Sequence, residues 1–186
     1  MRWKGITIIA AAALLVQGCL VLSLHPLYTD KDVVFRQELV GTWRESPEAK
    51  EYLIFEPADS NSYLLKWMKE GKLSSTFSAH LVQVGEYYFL DIYPEDMEEE
   101  MDEFFASHLI PAHTLWLAEL AGDTLRTASL RFDWFDSTSQ SGQLDLKHER
   151  LKDYVVLTGE ARDMQKLLSM YVGEAFDDFD EAYRVK

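Results

Sequence analysis

One cysteine, nine glycines and five prolines are spread over 186 residues. A single thiol excludes an internal disulfide and a zinc site of several thiolates. The scattered glycines form neither Gly-x-Gly-x-x-Gly nor a Walker loop, so the backbone cradle of nucleotide-binding folds is missing. No Gly-x-Ser-x-Gly elbow is present to hold an activated serine. The histidines are poorly spaced for a metal: Pro111 lies between His108 and His113, and His80 and His148 stand alone. Positive charge is also scarce. Eighteen Lys and Arg face 32 Asp and Glu, a net charge of −14 that repels phosphate backbones. These absences predict no catalytic centre, no metal, no cofactor and no nucleic-acid partner. The overall composition, 47% hydrophobic and 27% charged, is that of a globular chain long enough for one domain.

What is present begins at the N-terminus. Arg2 and Lys4 precede the uncharged apolar run Gly5 to Val16, the n-region and h-region of a secretory signal. As a helix that run is about 18 Å long, short of a hydrocarbon core of about 30 Å. It leads into Val16-Gln17-Gly18-Cys19. These four residues resemble the lipobox of bacterial lipoproteins, with an aliphatic residue at −3, a small residue at −1, and then the cysteine that is acylated. Gln17 departs from the small residues usual at −2. The resemblance implies lipid attachment (palmitate among the acyl groups) at Cys19, cleavage before it, and a protein held outside the cytoplasm by its acyl chains. Two or three such chains make attachment effectively permanent. Loss of Arg2 and Lys4 on cleavage would take the net charge from −14 to −16. Leu20, where retained lipoproteins of enterobacteria carry Asp, implies the outer membrane for a Gram-negative source. The competing readings are an uncleaved anchor over Gly5 to Leu24, which is uncharged throughout, and ordinary secretion.

Leu20 to Tyr28 is apolar apart from Ser23, His25 and Pro26, which predicts a segment packed on the domain or on the bilayer, with the fold starting near Val33. From there β-rich runs alternate with turn signals. Strands are expected at Glu51 to Glu56, Ser62 to Met68, Leu73 to Val84, Tyr87 to Tyr93, Thr114 to Leu120, Thr124 to Phe132 and Tyr154 to Leu157. The spacing predicts a mainly β protein, an antiparallel meander closing into a barrel or a strongly curved sheet. Gly41-Thr42-Trp43 at its start resembles the Gly-x-Trp opening of lipocalins. There the glycine lets the chain pass under the barrel, the tryptophan plugs the closed end, and an arginine late in the chain lies over it. No single residue stands out in this sequence for that arginine. With His25-Pro26-Leu27-Tyr28 and the lipobox, the pattern is similar to a group of bacterial envelope lipoproteins, which implies a lipocalin-like fold and no established activity.

Two helices are expected. One, near 95–107, is an acidic rod with Met97, Met101, Phe104, Phe105 and Leu109 on one stripe, and is read as a solvated cover rather than a calcium site. The other, near 160–172, buries Met164, Leu167, Leu168 and Tyr171. Asp133 to Arg150 is open between a helical turn and a strand. Residues 176–186 read as an acidic tail with Phe176, Phe179 and Tyr183 at helical spacing. The expected organisation is a signal peptide over 1–18, an anchored segment over 19–32, one β-rich domain over 33–175, and that tail. Trp67 and Trp116 are the candidates to line a barrel cavity, although aromatics also fill β cores. The predicted function is a non-enzymatic, lipid-anchored envelope protein binding a small apolar or amphipathic ligand. The alternative is an interaction or scaffolding module for an envelope protein, without a cavity.

Overall fold

A computed structural model describes residues 20–59, 61–95, 108–152 and 154–186. The acidic helix expected near 95–107 and the lipobox ending at Cys19 lie outside the described residues. The meander is present strand by strand: β3 (Gly41–Arg44), β4 (Glu51–Pro57), β5 (Tyr63–Lys69), β6 (Lys72–Val84), β7 (Tyr87–Pro94), β8 (His113–Ala121) and β9 (Thr124–Ser129). Each pairs antiparallel with the next. The eighth strand, β12 (Asp180–Arg184), lies antiparallel between β9 and β3 and closes the ring. The product is a closed, eight-stranded, lipocalin-like antiparallel barrel.

Around it lie β1 (Leu20–Ser23), β2 (Val33–Val34), β10 (His148–Arg150) and β11 (Tyr154–Leu157), with helices α1 (Phe132–Gln140) and α2 (Ala161–Ala175). Strand β2 pairs with β6, while β1 pairs with the first residues of β8 and, in parallel, with β11. Alternation along the strands makes two cores. Leu65, Ala79, Leu81, Leu90, Ile92, Ala118 and Leu125 face into the barrel around Trp43. Val82, Phe89, Leu115, Leu117 and Ala128 face out, against Phe135 of α1, against Met164, Leu167 and Leu168 of α2, and against Val21, Val155 and Leu157.

Three expectations are corrected. Residues 176–186 are not a helical tail: Phe176 packs edge-on to Phe89, with ring centroids 5.6 Å apart, and β12 enters the barrel. The unpaired edges of β3 and β9 need a partner, and that demand overrides a helical spacing of three aromatics. The folded part already includes Leu20–Ser23, upstream of the start expected near Val33, because β1 gains hydrogen-bonded neighbours on both sides. Strand β9 stops at Ser129, and Phe132, expected at its end, instead opens α1. The open stretch 133–150 resolves into most of α1 and β10.

The closed end of the barrel is fastened by residues far apart in sequence. After a 3₁₀ turn (Gln37–Leu39), Gly41 takes φ +138°, a conformation that side-chain-bearing residues rarely adopt. A Cβ built there would stand 2.7 Å from Arg184 Nη1. Trp43 is fully buried and donates its indole N–H to the Leu39 carbonyl at 2.8 Å. The Arg184 guanidinium covers its ring at 4.4 Å, donates to Val40 O at 2.6 Å and also donates to Glu38 O. Arg184 therefore occupies the place of the late arginine in the lipocalin pattern. Tyr63, also fully buried, accepts the Arg36 N–H at 2.6 Å and donates to its carbonyl at 3.1 Å, which ties the incoming chain to β5.

Truncating a buried tryptophan removes its contacts and leaves a void, so Trp43→Ala is expected to cost about 3–5 kcal/mol. Gly41→Ala should also destabilise, through its positive φ and the displaced Arg184. Urea unfolding followed by far-ultraviolet circular dichroism checks both. A Trp43→Ala protein with the parent's midpoint contradicts this account of the closed end.

Candidate functional site

Strand directions define the two ends of the barrel. The turns after β4, β6 and β8 lie at the closed end with Gly41 and Arg184, and those after β3 and β5 lie at the opposite mouth. Trp67, near the end of β5, and Trp116, on the upper half of β8, both point inward and are half-buried. They meet edge to face, with centroids 6.5 Å apart. The structure thus brings together the two tryptophans expected to line a cavity. The pairing of β5 with β6 shifts register between Trp67 and Met68, a bulge of the kind that re-aims side chains at barrel rims. The Trp67 indole N–H donates to Glu51 at 3.3 Å, and Lys69 sits 3.0 Å from the same carboxylate, which holds Glu51 below its ordinary pKa.

Below that pair the interior is filled. Tyr63, Leu65, Ala79 and Leu90 have no exposed surface, so not even a water-sized space touches them. At the closed end, Arg36, Leu39, Tyr88 and Leu125 border a void of about 10 Å³. That is the threshold for a single water, whereas drug-sized ligands occupy some 300–1,000 Å³. The larger concavity lies outside the barrel, an apolar groove of about 320 Å³ along β1 and β11.

A polar cluster on the outer wall escaped the sequence reading. His80 and Asp91 are cross-strand partners on β6 and β7, and His113 begins β8; all three face outward. Asp91, 1% exposed, accepts from His113 Nδ1 at 2.6 Å and from the Leu27 backbone N–H at 2.6 Å. Tyr28 stacks on His80 at 4.4 Å, and Tyr93 lies 4.5 Å from His113. From the other side, Gln165 of α2 donates to Leu27 O at 2.8 Å and to Asp32 at 3.1 Å. Leu27, itself fully buried, is thus gripped through both its N–H and its carbonyl. The only sequence signal was an acidic residue in an otherwise aromatic and apolar strand, Asp91 within Tyr87 to Tyr93. Its partners are set by register, which single-residue patterns do not reveal.

An aspartate on Nδ1 of a histidine is half of a nucleophile-activating triad. Ser23 pairs with His113 across the β1–β8 ladder, but it is fully buried and donates its hydroxyl to the His25 carbonyl at 2.6 Å. The cluster is therefore a clamp on the N-terminal segment. Among the described residues no three His, Cys, Asp or Glu side chains converge as metal ligands. No family model, curated protein or solved structure matches the chain.

Burial pushes His80 below its ordinary 6.5, helped by His113 and opposed by the Asp91 charge. The unfolded chain therefore takes up this proton first. Stability from His80 is full above pH 6.5 and is lost as the pH falls toward the folded value. His80→Gln should make the decline in melting temperature between about pH 7 and 5 shallower than the parent's. Parallel slopes in both proteins would show that His80 is not the group responsible.

Proposed function

We propose that the chain is a lipid-anchored cell-envelope module without catalytic activity, whose barrel is a filled scaffold and whose contacts run through its outer surface. The observation that carries this reading is the packed interior: fully buried Trp43, Tyr63, Leu65, Ala79 and Leu90, with a void of only about 10 Å³ at the closed end. The lipobox resemblance supplies the anchor, through acylation of Cys19, and an outer-membrane address for a Gram-negative source. Among the described residues no helix is long and apolar enough to cross a membrane. The clamp on Leu27 and the pairing of β1 tie the start of the described chain to the barrel wall, as suits a domain held close to its anchor. Within this reading the envelope partner is a protein or the membrane surface.

In cells fed a labelled fatty acid, the native chain should incorporate label and shorten. Cys19→Ser should take up none and remain at the unprocessed size. Release of the variant at the normal mature size, or a native protein without label, overturns the lipid anchor.

A second reading, a small apolar ligand held at the mouth, is favoured by one observation: Trp67 and Trp116 stay half-buried above the packed interior. It predicts that an apolar fluorescent probe such as ANS binds the parent several-fold better than Trp67→Ala or Trp116→Ala, with the variants still folded. The filled-scaffold reading predicts equal probe binding by all three proteins.

A further inference from the structure

The β1–β11 pair has two apolar faces, and the described residues cover only one of them. Val21 and Ser23 alternate with Leu20, Leu22 and Leu24, and Val155 and Leu157 alternate with Tyr154 and Val156. The first set is buried under α1 and α2. Of the second set, Leu22, Leu24, Tyr154 and Val156 open onto the outer groove of about 320 Å³, whose other wall includes Ile110 and Leu151. Exposure is high for such residues: Ile110 76%, Leu151 54%, Leu24 40% and Tyr154 39%. Parallel strands with near-continuous apolar sequence, Leu-Val-Leu-Ser-Leu and Tyr-Val-Val-Leu here, are ordinarily buried on both sides. A contiguous exposed apolar patch marks a surface made for contact.

The position of β1 beside Cys19 in the sequence points to the contact. Leu20 pairs with Tyr154 and directly follows Cys19, so no spacer separates the acylation position from the strand that floors the groove. Consecutive residues of a strand advance about 3.4 Å, which puts the groove within roughly 10 Å of the acylated residue. The net charge of −14 opposes attraction to anionic lipid headgroups, which leaves apolar contact as the means of attachment. Glu149 is the acidic residue on the groove wall, and Tyr154 has the amphipathic ring that suits a membrane–water boundary.

We infer that the uncovered face formed by Leu22, Leu24, Ile110, Leu151, Tyr154 and Val156 rests in the acyl layer of the bilayer that holds the Cys19 lipid, fixing one orientation of the barrel on the membrane. The inference rests on the lipid-anchor reading and goes beyond it, since an anchor alone leaves the domain free to tumble.

The test uses full-length protein purified from cells and reconstituted into phosphatidylcholine vesicles, with the N-terminal peptide weighed for its acyl groups. Leu151→Cys and, beside β4 on the far side of the barrel, Lys50→Cys each receive one environment-sensitive fluorophore. Lipid-borne nitroxide should quench the Leu151 label several-fold more than the Lys50 label, and aqueous iodide should do the reverse. An acylated protein whose two labels respond alike overturns the membrane face and leaves the anchor standing. Shielding of Leu151 from iodide without nitroxide quenching assigns the face to a protein contact and also overturns it. Absence of acyl groups overturns the anchor reading, and the face falls with it.

Discussion

Arg184 lying across the Trp43 indole is the interaction on which the barrel depends. It joins the first barrel strand to the last, and its guanidinium satisfies the Val40 and Glu38 carbonyls at the turn where the chain passes beneath the barrel. A planar cation suits this place because it stacks on an aromatic ring and donates in its own plane at once. Gly41 is the geometric condition for it, since a side chain there would occupy the space of the guanidinium. Closure then follows: β12 pairs on both sides, no barrel edge stays open, and the inward residues of all eight strands share one core.

The second organising element is the polar clamp on the opposite surface of the sheet. Asp91 and His113 would be costly to bury singly, yet together with the Leu27 N–H and the Gln165 amide they make a satisfied network. Its effect is to convert an apolar leader, Leu20 to Tyr28, into part of the wall. Because α1 and α2 cover the same wall farther along, the molecule is asymmetric: one side of the barrel is built up into a second core, and the other carries exposed ion pairs such as Lys69–Glu51.

The strands were legible because alternation and turn residues are local. β4 to β8 and β11 lie within a residue or two of their expected positions, and Trp43 does plug the closed end. The pairing of Trp67 with Trp116 at the mouth was half legible: alternation and residue size chose them, but how full the barrel is depends on summed volumes that sequence spacing does not carry. What was not legible is long-range. Arg184 finds Trp43 across 141 positions of sequence, and nothing local distinguishes it from other arginines. The clamp of His80, Asp91 and His113 needs the register of three strands, and β12 needs two vacant edges to become a strand.

The dependence of closure on β12 also orders the assembly in time. A chain that has emerged only as far as β9 can form the meander from β3 to β9, but it leaves a free edge at each end and no cover over the Trp43 indole. Contacts of such sequence separation are slow to form, because the entropy of closing the loop must be met before any of them stabilises the fold. Until Arg184 arrives, the chain remains an open sheet with two unpaired edges, the kind of species whose exposed borders and apolar face favour association with other chains.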